Sequence, residues 1–202
     1  MSIRTALLAS TVLVTLAWAP LPAQTPAQRL VPSGSVRAGT LSFDGRATAG
    51  DFTGTTTSVT GEIRGGRLEQ VRGWVEAPVR TLVTGNQRRD RDLNKSMESG
   101  KYPVIRFELT GVAAPESAGD SVALVLEGRF IIHGVAREAS IPAGVVFRPD
   151  VIRVRGETPL NLKDYKIGGL SKALGMLKMS EKIVVHIDLS FGVGEPVPHA
   201  SR

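Results

Sequence analysis

The sequence predicts an all-β protein: one antiparallel up-and-down barrel of about eight strands, with one short helix and a lid-like loop. Three observations carry this. Apolar and polar residues alternate with period two over most of the chain, the alternating runs are long, and only one segment carries helical signals. Strict alternation gives each strand one dry and one wet face, as in antiparallel sheet, whereas a parallel sheet would show continuous apolar runs. Long strands with few helices favour a barrel over a short-stranded sandwich.

The first segment, MSIRTALLASTVLVTLAWAPLPAQ, is not part of that pattern. Arg4 supplies a positive leader, Thr5 to Ala19 an apolar run, and Pro20, Pro22 and small residues an exit, which is the order of a secretory signal peptide. The run is short for a membrane span, which needs about 20 residues. Cleavage is expected after Ala23 or Ala27. The expected organisation is a signal peptide over 1–23, a flexible segment over 24–34, the barrel over 35–192 and a tail over 193–202. The protein is therefore expected in the periplasm or secreted. There is no cysteine, which excludes disulfides, thiolate metal sites and lipid attachment through cysteine. The formal charge is +6 and the leader removes only Arg4, so the exported chain stays basic. That balance suits anionic membrane surfaces.

The strand reading is explicit along the chain. In LEQVRGWVEAPV the dry set is Val71, Val75, Ala77 and Val79, with Trp74 outward. In YPVIRFELTGV it is Ile105, Phe107 and Leu109, opposed by Arg106, Glu108 and Thr110. SVALVLEGRFIIHG gives Val122, Leu124, Leu126, Phe130 and Ile132, and the following His133-Gly134 reads as a tight hairpin with Gly134 at positive φ. VIRVRGETPLNL and SEKIVVHIDLSF add Ile152 and Val154, then Ile183, Val185, Ile187, Leu189 and Phe191.

Between the strands lies TGNQRRDRDLNKSMESGKYP. Thr84 or Asn86 is placed to cap a helix, Gly100 to end it and Pro103 to prevent its continuing. Arg88, Arg89, Arg91 and Lys95 are interleaved with Asp90, Asp92 and Glu98. Each acid cancels part of a neighbouring arginine's attraction for phosphate, and no aromatic is interleaved for base stacking, so no nucleic-acid partner is expected. Leu93 and Met97 form an apolar stripe that would dock this helix on one end of the barrel.

These segments together resemble the YceI-like family. The resemblance runs from about Ser35 to Phe191 and rests on Thr84-Gly85-Asn86, Arg89-Asp90, Tyr102-Pro103, the hairpin from Phe130 to Ala136, LNLKDYKIG and the last strand. It implies an exported, lipocalin-like barrel that binds polyisoprenoid chains or isoprenoid quinones. This chain departs from the family in three places. Asp92-Leu93 stands where many members have His-Leu, Met97 is the one large apolar residue where an aromatic pair often follows, and the first strand has few large residues beyond Leu41, Phe43 and Phe52.

A barrel of about eight strands is either filled by side chains or holds one small ligand. Aromatic residues make up only 5% of the chain, and Gly73, Gly128 and Gly156 interrupt the dry faces, which favours a cavity. The expected ligand-binding residues are the inward apolar ones: Phe43, Ile105, Phe107, Leu124, Phe130, Ile132, Phe147, Val154, Val185 and Ile187. No polar cluster is expected among them, so an isoprenoid tail would be held by buried area alone. In GGLSKALGMLKMSE, Leu170, Leu174 and Leu177 recur at helical spacing beside Met176, and the segment reads as a lid or as packing on the barrel rim.

Catalysis has no visible constellation. His133, His186 and His199 share no metal-ligand spacing, and no nucleophile elbow, P-loop or dinucleotide fingerprint occurs, so neither an enzyme nor a metal or cofactor is expected. The leading reading is a carrier or buffer for a polyisoprenoid or isoprenoid quinone. The alternative is a ligand-free basic envelope barrel whose outward Arg72, Arg80, Arg153 and Arg155 contact anionic membrane or a protein partner. Oligomeric state is not legible.

Overall fold

The alternating runs form strands, and their partners follow the chain order. The computed structural model describes residues 30–48, 50–118, 121–168, 171–172 and 177–194. The strands are β1 (Leu30–Val31), β2 (Gly34–Gly45), β3 (Phe52–Thr56), β4 (Thr60–Arg64), β5 (Gly66–Arg67), β6 (Arg72–Pro78), β7 (Val104–Ala118), β8 (Ser121–Ile132), β9 (Val135–Phe147), β10 (Val151–Asn161), β11 (Ser171–Lys172), β12 (Leu177–Lys178) and β13 (Lys182–Val193). Among the described residues the one α-helix, α1 (Gln87–Ser96), lies between β6 and β7.

From β6 to β10 each strand pairs antiparallel with the next, β10 pairs with β13, and β13 pairs with β2 to close the barrel. β3 and β4 share one barrel position, broken at residues 57–59: β3 ladders on one end of β2, while β4 joins β2 to β6. Counted this way the barrel has eight strands, up and down as expected. Closure leaves no long unpaired edge.

Bulges re-aim the alternation. On β7 the register shifts between Leu109 and Gly111, so Leu109 faces Gly128 but Val112 faces Leu126, and the inward parity changes from odd to even. The β8–β9 hairpin turns through His133 (φ 51°) and Gly134 (φ 72°), so both turn residues are left-handed, not Gly134 alone. Two positive-φ residues give the turn that matches strand twist. The His133 ring stacks 4.5 Å from Tyr102, and its Nδ1–H donates to the Tyr165 carbonyl at 3.1 Å, pinning the turn to the chain after β10.

Helix α1 starts where expected: the Asn86 side-chain oxygen accepts from the backbone N–H groups of Arg88 and Arg89 at 3.0 and 3.1 Å. It ends earlier than Gly100. The chain turns left-handed at Glu98 (φ 46°), and the Ser99 N–H donates to the Asn94 carbonyl. Met97 and Ser99 are both buried, and residues two apart cannot share a helix face, so the helix has to stop between them.

The interior divides along the barrel axis. One apolar cluster, with Val79, Met97, Phe130, Ile132, Ile141 and Tyr165, lies toward α1. A second, with Val31, Leu68, Val71, Leu124, Ile152 and Phe191, packs the opposite end solid. β1 seals that end by pairing with β5 and burying Val31, so residues 30–34 belong to the fold and not to a flexible leader. Residues 1–29 and 195–202 lie outside the described residues.

The outer face is laced by ion pairs across strands. Arg106 bridges Glu76 (3.0 Å) and Glu108 (3.2 Å), Arg129 meets Glu108 at 2.7 Å, and the Arg106 guanidinium covers the outward Trp74 ring at 4.5 Å. The hydrogen bond from Arg129 holds the Glu108 carboxyl below its ordinary range. Arg153 and Arg155 both bind Asp188, at 2.9 and 3.0 Å, and the bond from Arg153 lowers Asp188 likewise.

Candidate functional site

Between the packed end and α1 the barrel holds a partly open cavity of about 390 Å³. That lies within the roughly 300–1,000 Å³ typical of small-molecule sites. Its walls come from every barrel strand position, and its floor is the top of the packed end, with Ile63, Leu109, Val154, Leu189 and Phe191. α1 lies across the other end and contributes Arg89, Asp92, Leu93 and Ser96, with Met97 just after it. Ala47 and Phe52, flanking the β2–β3 turn, complete the rim with Met179, which bridges to Ala47.

Of the residues expected to line the interior, Phe43, Ile105, Phe107, Phe130, Ile132, Val154, Val185 and Ile187 do so. Leu124 and Phe147 do not. Both belong to the packed end, Leu124 as a buried core residue and Phe147 packed against that cluster. Alternation assigns a residue to the inner face but not to a depth, which is why these two were indistinguishable from the rest. Ile105, Phe107, Val154, Val185 and Ile187 point inward yet are only half-buried, because the cavity reaches them.

The inward glycines do not open the lumen in the way their lack of a side chain suggests. A Cβ on Gly128 would lie 2.6 Å from the Phe107 ring and 2.2 Å from the Glu108 carbonyl oxygen. On Gly54 it would lie 2.2 Å from the Phe43 ring. These glycines are seats for aromatic rings: Phe107 lies over Gly128 and meets Phe130 at 4.9 Å, while Phe43 lies over Gly54 and meets Phe52 edge-on at 6.1 Å. The rings are thereby drawn against the wall, and the space is left at the centre.

The polar rim lies outside the sequence reading, which uses the charges of this segment only to exclude nucleic acid and gives its docking to Leu93 and Met97. Arg89 is half-buried, with its guanidinium 4.2 Å from the Phe52 ring centroid and its Nε–H donating to Thr84 Oγ1 at 3.2 Å. The Thr84 hydroxyl in turn donates to Asp90 at 2.6 Å, as does the Thr84 N–H at 2.8 Å. The available signal was spacing: Arg89, Leu93 and Ser96 fall three or four apart, on the face that carries the apolar stripe. The Thr56 hydroxyl donates to Thr81 Oγ1 at 2.7 Å, and the Thr81 hydroxyl to the Pro78 carbonyl at 2.7 Å.

Of the lid residues, Leu170, Leu174 and Met176 lie outside the described residues. Leu177 is in β12, whose backbone pairs antiparallel with β11, so the helical spacing there does not reflect a helix. Among the described residues no group of three or more His, Asp or Glu is placed to hold a metal ion. His186 lies on the outer face between Asp44 (2.8 Å) and Glu157 (3.4 Å).

Comparison with known proteins agrees with this geometry. The profile of the YceI-like domain matches residues 35–191. A polyisoprenoid binding domain from Saccharophagus degradans, implicated in plant cell wall breakdown, is similar in structure, with a TM-score of 0.65 and 16% identity over 81% of this chain and 100% of that one. BcnA of Burkholderia cenocepacia is similar with a TM-score of 0.63 and 12% identity, covering 76% of this chain and 96% of that one. A YceI protein of Campylobacter jejuni gives 0.52 and 17%, over 61% of this chain and 73% of that one. A search of curated proteins gave no match.

Proposed function

The chain belongs to the YceI-like family, and from that premise we propose that it is an exported carrier or buffer that holds a polyisoprenoid or isoprenoid quinone chain inside its barrel. The observation that supports this reading most is the cavity itself. It is about 390 Å³, open at one end, and walled by apolar side chains from all around the barrel. Each buried CH₂ contributes about 0.8 kcal/mol, so a prenyl chain gains ample transfer energy there without polar recognition along its length. The similar Saccharophagus domain is described as polyisoprenoid binding, which is the same chemistry.

The surface-binding alternative has less in its favour. Of the four outward arginines it relies on, Arg153 and Arg155 share Asp188, and Arg72 donates to the carbonyls of Glu69 and Val71. Arg153 and Arg155 thus share one carboxylate, which offsets half of their charge toward an anionic membrane.

Native mass spectrometry of the mature protein from its own host, followed by organic extraction, tests the carrier reading. One retained isoprenoid per chain is expected. A clean apo mass with no uptake of added prenol or quinone would overturn it.

A further inference from the structure

An isoprenoid in this cavity has two ends, and the two ends of the cavity are chemically different. The floor is apolar and solid, formed by packed side chains such as Leu109, Leu189 and Phe191. The rim under α1 carries polar side chains, and Arg89 is the one cation among the described residues that line the cavity. A polar terminus therefore has one place to go.

Arg89 is also held ready for such a terminus. Its Cζ sits over the Phe52 ring, 4.2 Å from the centroid, and Thr84, itself fixed by two hydrogen bonds to Asp90, takes the Nε–H at 3.2 Å. The hydrogen bond uses Nε, and the ring contact is to the carbon at the centre of the group. Among the described residues the Nη1 and Nη2 amino groups have no hydrogen-bond or ion-pair partner. A guanidinium held over a ring and anchored through Nε has lost rotamer entropy in advance and still presents donors, which is the arrangement that reads an oxygen acceptor with geometric selectivity. An arginine serving only as surface charge would not need a ring beneath it and a hydroxyl at its edge.

We propose that Arg89 is a specificity-determining residue that hydrogen-bonds an acceptor oxygen on the polar end of the bound isoprenoid, orienting the lipid head to the rim and tail to the floor. The inference rests on the carrier reading and adds to it the requirement for an oxygen-bearing head. A quinone carbonyl and a prenyl phosphate share that chemistry. Asp92 lies one turn further along the same helix and also lines the cavity.

The test compares squalene, a prenylated benzoquinone and a prenyl monophosphate of similar chain length, each titrated into the full-length mature protein and into Arg89→Met. A hydrogen bond to a charged donor is expected to give the wild type a preference of roughly tenfold to a hundredfold for a headed lipid over squalene. In R89M that ratio should fall toward one. The better of the two heads identifies the source, and a preference for phosphate should weaken as salt is raised while one for quinone should not. A wild-type ratio near one, or a ratio unchanged in R89M, overturns the assignment. If squalene and both headed lipids all fail to bind the wild type, the carrier reading itself fails, which is a separable result. Should R89M not fold by circular dichroism, Arg89→Lys makes the same comparison: an ammonium cannot form the planar fork, and the ratio should fall below wild type.

Discussion

Filling the lumen from one wall should weaken long isoprenoids without unfolding the barrel. Val185 is the position of choice. It pairs with Phe43 on one side and Thr158 on the other, lines the cavity, and is only half-buried because the cavity lies beside it. Val185→Phe adds about four carbon atoms to the interior, and a ligand must give up a comparable length of chain. At about 0.8 kcal/mol per CH₂ this comes to about 3 kcal/mol, or roughly a hundredfold in Kd. Overpacking of a solid core would cost the fold about 1–3 kcal/mol, but here the ring enters existing space, so the loss of stability should fall below that range. The assay is displacement of a fluorescent prenyl probe by prenols of increasing length, with urea unfolding run alongside. The long prenols should lose the most affinity and the shortest the least, because only a chain that fills the cavity competes with the new ring. A V185F protein that is folded and binds the longest prenol as tightly as wild type would refute the placement of the ligand in the lumen.

Three further outcomes follow from single features. Gly128→Ala should destabilise the barrel by about 1–3 kcal/mol in urea unfolding, because the new methyl meets the Glu108 carbonyl oxygen at 2.2 Å and the backbone has to move; an unchanged midpoint would show that the aromatic seat has slack. Asn86→Ala removes the acceptor for two helix N–H groups and should cost about 1 kcal/mol, with amide exchange at Arg88 and Arg89 accelerated beyond the rest of α1. Asp188 has its carboxyl lowered in the fold by Arg153, so its contribution is present above the ordinary aspartate value of 3.8 and is lost as pH falls through the lowered value. Because the pair is partly exposed and screened, that contribution should be below about 1 kcal/mol. The melting difference between wild type and Asp188→Asn should therefore close in strong acid, and a difference that persists there would assign the effect to packing instead.

Much of the architecture was legible because the signals are local. Period two in the segments that became β8 and β13 fixed which side of each strand faces inward, Asn86 announced the start of α1, and His133-Gly134 announced a tight turn. The family resemblance was legible for the same reason, as a set of spaced local segments now matched over residues 35–191. The end of α1 was not, since Glu98 has no sequence preference for the left-handed conformation that the burial of Met97 and Ser99 imposes on it.

What the sequence alone determined is therefore the face of each residue: Leu124 and Phe130 both point inward, and the pattern says so. What only the tertiary structure decided is depth. Leu124 is in the solid end and Phe130 beside the cavity, because height along a barrel depends on strand tilt and on stagger summed around the closed sheet, which no single strand encodes. The same holds for Arg89. Its charge is plain in the sequence, but the ring beneath it comes from β3, more than thirty residues away, and the cavity beside it is made by strands from both halves of the chain. A side chain becomes part of a site through neighbours brought together by closure, and local pattern carries no record of them.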